Sequence, residues 1–380
     1  MDISLLMVHP SEPIRKVKRL KRTRREATSY MKTHPITNTV ASLVKALTPR
    51  NRDILSRRFG LKKGKKETLE SIGKSYGITR ERVRQIEEST LAQLVKTSQG
   101  TTDLEKYAGM AKDIIARSGG IIKEKDLFRE FGGSSEENVV NASLAFVLRL
   151  NKELVRVQEN DRLHSFWALN KEHAGSFVET VNSVTHLLSK QKKILSQNDF
   201  HNFVKASDLP GVGNQTINDK HIQLCLNISK ELDKNIFDEV GLVSWPEIKP
   251  SGVKDKAYLV LKREDSPKHF SEISKLINTA GFSGKKANVQ TVHNELIKDN
   301  RFVLVGRGIY ALSEWGYKPG TVKDVLVDIL KKSSKPLSRT AILAKVMNNR
   351  IVKENTILLN LQDSRTFVKN NDGTYTLREA

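Results

Sequence analysis

Residues 78–95, ITRERVRQIEESTLAQLV, place side chains that can recognise nucleic-acid bases near the start of a predicted helix. At about 100° per residue, one side of this helix carries Arg80, Glu81, Arg84 and Gln85. The opposite side carries the apolar residues Val83 and Ile86. Guanidinium groups, a carboxylate and a primary amide are the groups that read base edges in a major groove. The alternative is a solvated face held by ion pairs, and the preceding residues favour base reading.

Those preceding residues, TLESIGKSYG at 68–77, predict a shorter helix. Thr68 is a suitable N-cap, Glu70 lies in the first turn and Gly77 is a suitable end. A second N-cap residue, Thr79, then opens the next helix at once. Two helices joined by a tight turn with a glycine, the second of them bearing base-reading groups, are typical of a helix-turn-helix.

The same stretch resembles a known family. Residues 46–94, which include TLESIG and ITRERVRQIE, closely resemble region 4 of the primary sigma factors of bacterial RNA polymerase, the module that reads the promoter −35 element. The resemblance covers about 50 of the 380 residues. The sequence shows no counterpart of the aromatic-rich sigma segment that melts the −10 element, so we do not expect a complete sigma factor.

The resemblance implies roles for individual residues. In that family, the matching positions that face the major groove are those of Arg80, Glu81, Arg84 and Gln85. The matching positions near the phosphates are those of Thr68, Leu69 and Arg82. The family's module also docks on the flap of the polymerase. Leu91, Leu94 and Val95 are spread around the end of the predicted helix, so part of their apolar surface is a candidate for that docking. The alternative is that residues 104–117 fold back over them.

The charge of the chain is strongly basic and uneven. The net charge is +22 over 380 residues; residues 1–100 hold 23 Lys and Arg against 9 Asp and Glu, which leaves +8 for the other 280. This asymmetry indicates a polyanionic partner. Double-stranded DNA is favoured over a membrane because no segment approaches the roughly 18 consecutive apolar residues of a spanning helix.

The strongest concentration of charge lies ahead of the helix-turn-helix. Residues 15–25, RKVKRLKRTRR, hold eight basic residues in eleven: Arg15, Lys16, Lys18, Arg19, Lys21, Arg22, Arg24 and Arg25. Clustered cations that bind along phosphates release counterions, which favours binding to DNA. This segment therefore predicts a DNA-binding arm. A solvated tail is the alternative. The module that follows favours the arm.

A single cysteine, Cys225, excludes disulfide frameworks and cysteine-based metal sites, and its expected role is that of a small buried hydrophobe. MDISLLMV is too short for a signal peptide. These observations favour a reducing compartment and a cytoplasmic, nucleoid-associated protein. The oligomeric state stays open.

After residue 100 the sequence repeats an order of three helices and two β-prone runs. The third helices read ENVVNASLAFVLRL, INDKHIQLCLNISKEL, NVQTVHNELIKD and ENTILLNLQD. The terminal runs are LVRVQEN with HSFWAL, NIFDEV with GLVSW, RFVLVGRGIYAL and TFVKNNDGTYTL. Repeat ends at Leu169, Trp245, Leu312 and Leu377 lie 76, 67 and 65 residues apart. That is the size of a winged helix.

The third copy carries a second resemblance. Residues 256–317, with SPKHFSEISKLI and RFVLVGRGIYALSEWG, resemble the HARE-type helix-turn-helix domain. That winged helix occurs in a bacterial RNA polymerase accessory subunit, in chromatin proteins and in fusions to restriction enzymes, and so implies association with nucleic acid or polymerase. Its GRG turn places Arg307 where it could enter a minor groove. A plain β-turn explains the motif equally well.

We therefore predict a mainly α protein. Its expected parts are a basic arm (1–35), a sigma region 4-like helix-turn-helix (36–100) and tandem winged helices with small β-hairpin wings (104–170, 176–248, 254–317 and 318–380). The copy at 176–248 is divergent because SDLPGVGNQT interrupts it.

The sequence offers no convincing set of metal ligands or catalytic residues for an enzyme. EIK at 247–249, with Asp238 upstream, has the residue types of a metal-dependent nuclease site, but Pro246 and Pro250 bracket it and indicate a linker. The nine His include no HExxH or paired spacing, and GVGNQT lacks the lysine of a phosphate-binding loop. We expect no enzymatic activity, no cofactor and no metal.

The expected function is sequence-specific DNA binding in bacterial-type transcription, through promoter recognition, association with the RNA polymerase core, or both. Two alternatives stay open. One is a polymerase accessory subunit that acts by protein contacts, and the other is the DNA-targeting component of a restriction or modification system.

Overall fold

The computed structural model describes residues 35–378 except 99–101, 208, 210, 214 and 334. The candidate arm, with its basic residues 15–25, lies outside the described residues. The described part is mainly helical with small antiparallel sheets, as predicted. It divides into two compact units, residues 35–192 with Asn198–Leu232 and Lys193–Gln197 with residues 233–378. No helix among the described residues is long and apolar enough to cross a membrane.

Four helices open the first unit: α1 (Pro35–Lys45), α2 (Pro49–Phe59), α3 (Leu69–Tyr76) and α4 (Arg80–Thr97). Local sequence explains their ends. Thr48 accepts a hydrogen bond from the backbone N of Asn51 at 3.4 Å, and a proline occupies the first helical position of α2. Gly60 then ends α2 in the left-handed conformation.

The next segment runs in the order helix, strand, helix, helix and hairpin. Its elements are α5 (Thr102–Arg117), β1 (Ile121–Lys123), α6 (Glu124–Gly132), α7 (Val139–Leu150), β2 (Val155–Val157) and β3 (Phe166–Ala168). The strands pair antiparallel in the order β1-β3-β2, with Trp167 opposite both Ile122 and Arg156.

A second set of elements follows. It comprises α8 (Lys171–Gln191), α9 (Gln197–Ala206), α10 (Asp219–Ile228), β4 (Leu232–Lys234) and β5 (Val240–Leu242). Leu195 forms an isolated antiparallel bridge with Val240. It lies between the first and second helices of this set, where the preceding segment has its strand β1. Cys225 is buried on α10, as predicted, and burial raises the pKa of its thiol to about 12.

The second unit contains two further segments with this order. The first has α11 (Val253–Glu264), β6 (Lys268–His269), α12 (Phe270–Thr279), α13 (Val289–Lys298), β7 (Phe302–Gly306) and β8 (Ile309–Leu312). The other has α14 (Val322–Lys332), β9 (Leu337–Ser338), α15 (Arg339–Met347), α16 (Glu354–Leu361), β10 (Phe367–Lys369) and β11 (Thr374–Leu377). Their sheets have the orders β6-β8-β7 and β10-β11-β9, so the first strand of each segment pairs with its last.

The sequence prediction located the helices of these segments better than the strands. All four expected third helices are present, as α7, α10, α13 and α16. The first strands β1, β6 and β9 were missed because each is only two or three residues long. NIFDEV was wrong as a strand: β4 ends at Lys234, and residues 235–239 form the turn, in which Asp238 has a φ of 59°.

One apolar cluster joins α1 and α4 to the helices that follow them. It contains Leu91 and Leu94 of α4, 8% and 2% exposed, together with Leu104 and Tyr107 of α5, and Val95 packs against it. The expectation that this apolar surface is partly free for a partner is therefore wrong for Leu91 and Leu94, which are buried, whereas Val95 is half-buried. The predicted alternative, that residues 104–117 fold over them, agrees with this cluster.

Two close contacts show how tightly α2 and the loop after it pack against α7. The rings of Phe59 and Phe146 meet edge to face with centroids 5.1 Å apart, and Phe146 is fully buried. A Cβ added to Gly64 would lie 2.7 Å from Cα of Asn138, so only glycine fits there. The first four helices thus share a core with α5 and α7.

We expect Phe146→Ala to lower the free energy of unfolding by about 3 to 5 kcal/mol, because it removes a buried ring from this shared core. Hydrogen exchange read by mass spectrometry should accelerate in Pro35–Lys45 as well as in α7. Leu326→Ala, in the separate core of α14 to α16, is the control and should leave exchange in Pro35–Lys45 unchanged. Faster exchange in α7 alone would contradict a shared core.

Candidate nucleic-acid interface

The turn between α3 and α4 has the geometry that its sequence predicts. Thr68 and Thr79 cap the two helices, accepting hydrogen bonds from the backbone N of Ser71 at 3.1 Å and of Arg82 at 3.2 Å. Gly77 ends α3 with a φ of 64°. A Cβ on Gly73 would lie 2.7 Å from the carbonyl oxygen of Ile78, so this glycine allows the turn to approach α3 closely.

A small apolar core fixes the angle between the two helices. Ile54 of α2, Ile72 of α3 and Val83 of α4 are fully buried and in contact as one cluster. Leu69 and Tyr76 of α3, with Ile86 of α4, pack at its edge as partly buried residues. The apolar side of α4 is therefore turned inwards, as predicted from its periodicity.

Ion pairs at the edge of this core hold the three helices together. Arg57 donates hydrogen bonds to Glu67 and to the hydroxyl of Ser75, both at 2.8 Å. Arg58 pairs with Glu87 of α4 at 3.0 Å, and its Nη1 donates to the carbonyl oxygen of Glu67. These contacts connect Glu67, the residue before Thr68, to α2, and through Arg58 to α4. The start of α3 is thereby held in a fixed position.

The polar side of α4 is fully available to solvent. The four predicted base-reading residues, Arg80, Glu81, Arg84 and Gln85, are all exposed, as are the predicted phosphate contacts Thr68 and Arg82; Leu69 is half-buried. The structure thus brings these residues together at the start of α3 and of α4. Arg80 has no hydrogen-bond or ion-pair partner among the described residues.

Arg84 is oriented by two carboxylates on its own helix. Its Nε and Nη2 donate to Glu81 at 2.9 and 2.6 Å, and its Nη1 donates to Glu88 at 2.5 Å. The hydrogen bonds with Glu81 raise the pKa of Arg84 above its ordinary value and lower that of Glu81. Gln85 accepts a hydrogen bond from Arg82 at 3.1 Å. In the free protein, this face thus has the ion pairs that the solvated-face alternative also expects.

The ion pairs on this face are exposed to solvent and therefore weak. Ion pairs between exposed side chains contribute only about 0.2 to 1 kcal/mol, whereas a good bidentate contact with a base contributes roughly 1 to 3 kcal/mol of discrimination. The two carboxylates hold the guanidinium of Arg84 in the described structure. The arrangement is therefore compatible with base reading.

Arg307 lies at the tip of the hairpin formed by β7 and β8, where it is exposed in the two-residue turn with Gly308. The edge of β7 is partly covered, because the backbone N of Ile351 donates to the carbonyl oxygen of Val305 at 2.7 Å. Val303, Val305 and Ala311 are also buried. The tip of this hairpin is exposed, as is Leu304 in the middle of β7.

The described residues contain no group of three or more His, Cys, Asp or Glu that could hold a metal ion. Charged residues that the sequence analysis did not select lie beside the helix-turn-helix instead. Lys62, Lys63, Lys65 and Lys66 occupy the exposed loop before Thr68. The run KKGKK was a signal for them, but their proximity to α7 depends on tertiary packing.

Comparison with known proteins identifies this module. Residues 43–96 match the family described as sigma-70, region 4. The chain is 42% identical over 59 residues to the RNA polymerase principal sigma factor HrdD of Streptomyces coelicolor, a match that covers 16% of this chain and 18% of that protein. It is 51% identical over 49 residues to the RNA polymerase sigma factor SigA of a Nostoc species, covering 13% of each.

The chain is also similar to a plant protein, the chloroplastic RNA polymerase sigma factor sigF of Arabidopsis thaliana. The two are 40% identical over 73 residues, which cover 19% of this chain and 13% of that protein. The chain therefore spans less than a fifth of the length of these relatives. Residues 43–96 carry a sigma-70 region 4 domain, and residues 97–380 lie outside the family match.

We expect Gly73→Ala to destabilise the domain by about 1 to 3 kcal/mol, because the new methyl group would overlap the Ile78 carbonyl and push α4 away from α3. Gly109→Ala is the matched control: its Cβ meets nothing within 4 Å, and in a helix it should stabilise by roughly 0.5 to 1 kcal/mol. Urea unfolding followed by circular dichroism measures both. Equal effects of the two substitutions would contradict the close approach at Gly73.

Proposed function

We propose that this chain is a DNA-binding protein of bacterial-type transcription that acts through its region 4 domain and associates with RNA polymerase, without enzymatic activity of its own. The observation that carries the proposal is the exposed polar face of α4 within a region that matches sigma-70 region 4. The net charge of +22 supports a polyanionic partner.

In the proposed complex, the start of α4 lies in a major groove. Arg80 and Arg84 would donate to guanine, Gln85 would pair with adenine and Glu81 would accept from cytosine. Thr68, Leu69 and Arg82 would lie against the phosphates and set the register. Release of Arg84 from Glu81 on binding frees both partners for these contacts.

Polymerase association is proposed from the relatives, whose names describe RNA polymerase sigma factors. Leu91, Leu94 and Val95 are not proposed as the contact, because the two leucines are buried in the core and Val95 packs half-buried against it. Because the family match covers only residues 43–96, we propose a partial, sigma-like module rather than a complete sigma factor.

We interpret the four later segments as an array of winged helices, with a HARE-type domain at residues 256–317. Three of them share the order helix, strand, helix, helix and hairpin, and the second has an isolated bridge at Leu195 in place of the strand, which supports this interpretation. Arg307, at the exposed tip of its hairpin, is the candidate wing contact in a minor groove. The array would grip flanking DNA or the polymerase.

Base reading is tested with a duplex selected from a random pool by the full-length protein. Arg84→Ala or Gln85→Ala should each weaken binding to that duplex by about 1 to 3 kcal/mol and binding to random DNA very little. Lys96→Ala, exposed near the far end of the same helix, is the control. Fluorescence anisotropy measures all four proteins; equal losses on both DNAs would show that these residues do not read bases.

Binding through the proposed arm should depend on salt and not on DNA sequence. Deleting residues 15–25 should weaken binding to every duplex alike, because the arm would contact phosphates only. The slope of log K against log salt should fall by about 0.9 for each lost contact. A titration at several salt concentrations gives the slope, and an unchanged slope would mean that the arm is a solvated tail.

A further inference from the structure

A cavity of about 160 Å³ lies in the first unit between the region 4 domain and the segment after it. The residues that matter for its chemistry are Arg58, Lys66, Glu87, Arg149, Arg156 and Trp167. Arg58, Lys66 and Glu87 belong to the region 4 domain, and the other three belong to α7, β2 and β3. Neither part of the chain forms the cavity alone.

Positive charge exceeds negative charge in this cavity. Four cationic side chains line it, and Glu87 is the one carboxylate among the six residues. Glu87 is paired with Arg58, and Arg156 is paired with Glu124, which lies behind it. Lys66 and Arg149 have no hydrogen-bond or ion-pair partner among the described residues. Arg149 is therefore not compensated by a carboxylate, and Lys66 is compensated only through space by the charge of Glu124, whose pKa it helps to lower.

Arg156 is held rigidly at the wall of the cavity. Its Nη2 donates to Glu124 at 2.9 Å, and the indole Nε1 of Trp167 donates to the same carboxylate at 3.1 Å. Burial by itself would raise the pKa of Glu124, but the hydrogen bonds and charge of Arg156 outweigh it and lower that pKa. The pair is thus ionised, and Arg156 keeps its charge.

The loop that carries Lys66 is also fixed. Gly64 packs directly on the backbone of Asn138 at the start of α7, and the backbone N of Gly64 donates to the carbonyl oxygen of Gly60 at 2.7 Å. The backbone N of Glu67 donates to the carbonyl oxygen of Arg57 at 3.0 Å. Lys66 is therefore attached to a rigid loop, and its side chain meets the cavity without rearrangement of the backbone.

We propose that this cavity binds a phosphate group. Guanidinium groups form paired, charge-assisted hydrogen bonds with phosphate oxygens, and three of them converge here with a lysine. The site lies next to the start of α3, because Arg58 contacts both the cavity and the carbonyl oxygen of Glu67. A DNA strand that passes the start of α3 would bring a backbone phosphate to this cavity.

The phosphate could belong to the DNA backbone or to a small phosphorylated compound. The first source rests on the proposed DNA-binding function, and the second does not. The two sources differ in what they predict for salt dependence and for stabilisation by a free phosphate compound. Two measurements on the full chain therefore distinguish them.

The first measurement is the salt dependence of binding to a random duplex. Lys66→Gln combined with Arg149→Gln should lower the slope of log K against log salt by up to about 1.8, that is about 0.9 for each lost phosphate contact. Lys106→Gln combined with Arg117→Gln removes the same two charge types from exposed positions of α5. This control should leave the slope unchanged.

The second measurement is the shift of the melting temperature on addition of inorganic pyrophosphate, compared with sodium chloride at equal ionic strength. A small phosphate ligand would raise the melting temperature of the wild type and of the α5 control. It would leave that of the Lys66→Gln, Arg149→Gln variant unchanged. All the substituted residues are exposed, and circular dichroism confirms that the variants are folded.

A reduced slope identifies the DNA backbone as the source of the phosphate, and a pyrophosphate shift that the variant loses identifies a small compound. An unchanged slope together with no variant-specific shift overturns the proposal. If the wild type binds no duplex, the proposed function fails, and the pyrophosphate measurement alone then decides on the cavity.

Discussion

Apolar packing between the four helices of the region 4 domain and the helices after residue 101 is the interaction on which the first unit depends. Leu91 and Leu94 lie in the same cluster as Leu104 and Tyr107, and Phe59 meets Phe146. This packing fixes the domain against α7 and creates the cationic cavity between them. It also buries Leu91 and Leu94 at the end of α4, where Val95 is half-buried. The exposed side chains at the start of α4 are those of its polar face.

The core requires apolar residues on one side of α4, and the proposed DNA contact requires polar residues on the other. Val83 must face Ile54 and Ile72, so helical periodicity leaves Arg80, Arg84 and Gln85 on the solvent side. Glu81 and Glu88 compensate the charge of Arg84 in the absence of DNA. The exposed pairs are weak, which keeps the face stable in water and available to a base edge. The same residues thus satisfy the free state and the proposed bound state.

Local sequence determined what could be predicted. The caps at Thr68 and Thr79, the left-handed Gly77 and the inward position of Val83 follow from short-range rules, and the structure has all of them. The hairpin RFVLVGRGIYAL was equally clear. The burial of Leu91 and Leu94 depends on partners from other helices, which periodicity does not reveal. The first strands were missed because two or three residues show no alternation, and the cavity at Arg149 and Lys66 joins residues 83 positions apart.

Photo-cross-linking decides whether α4 reads bases. The full chain is bound to its selected duplex with the thymines replaced by 5-iodouracil, irradiated and mapped by mass spectrometry. We expect base cross-links in residues 80–88 of α4 that decrease when random duplex replaces the selected one. Cross-links confined to residues 253–378 would contradict base reading by α4, because the second unit alone would then contact the bases.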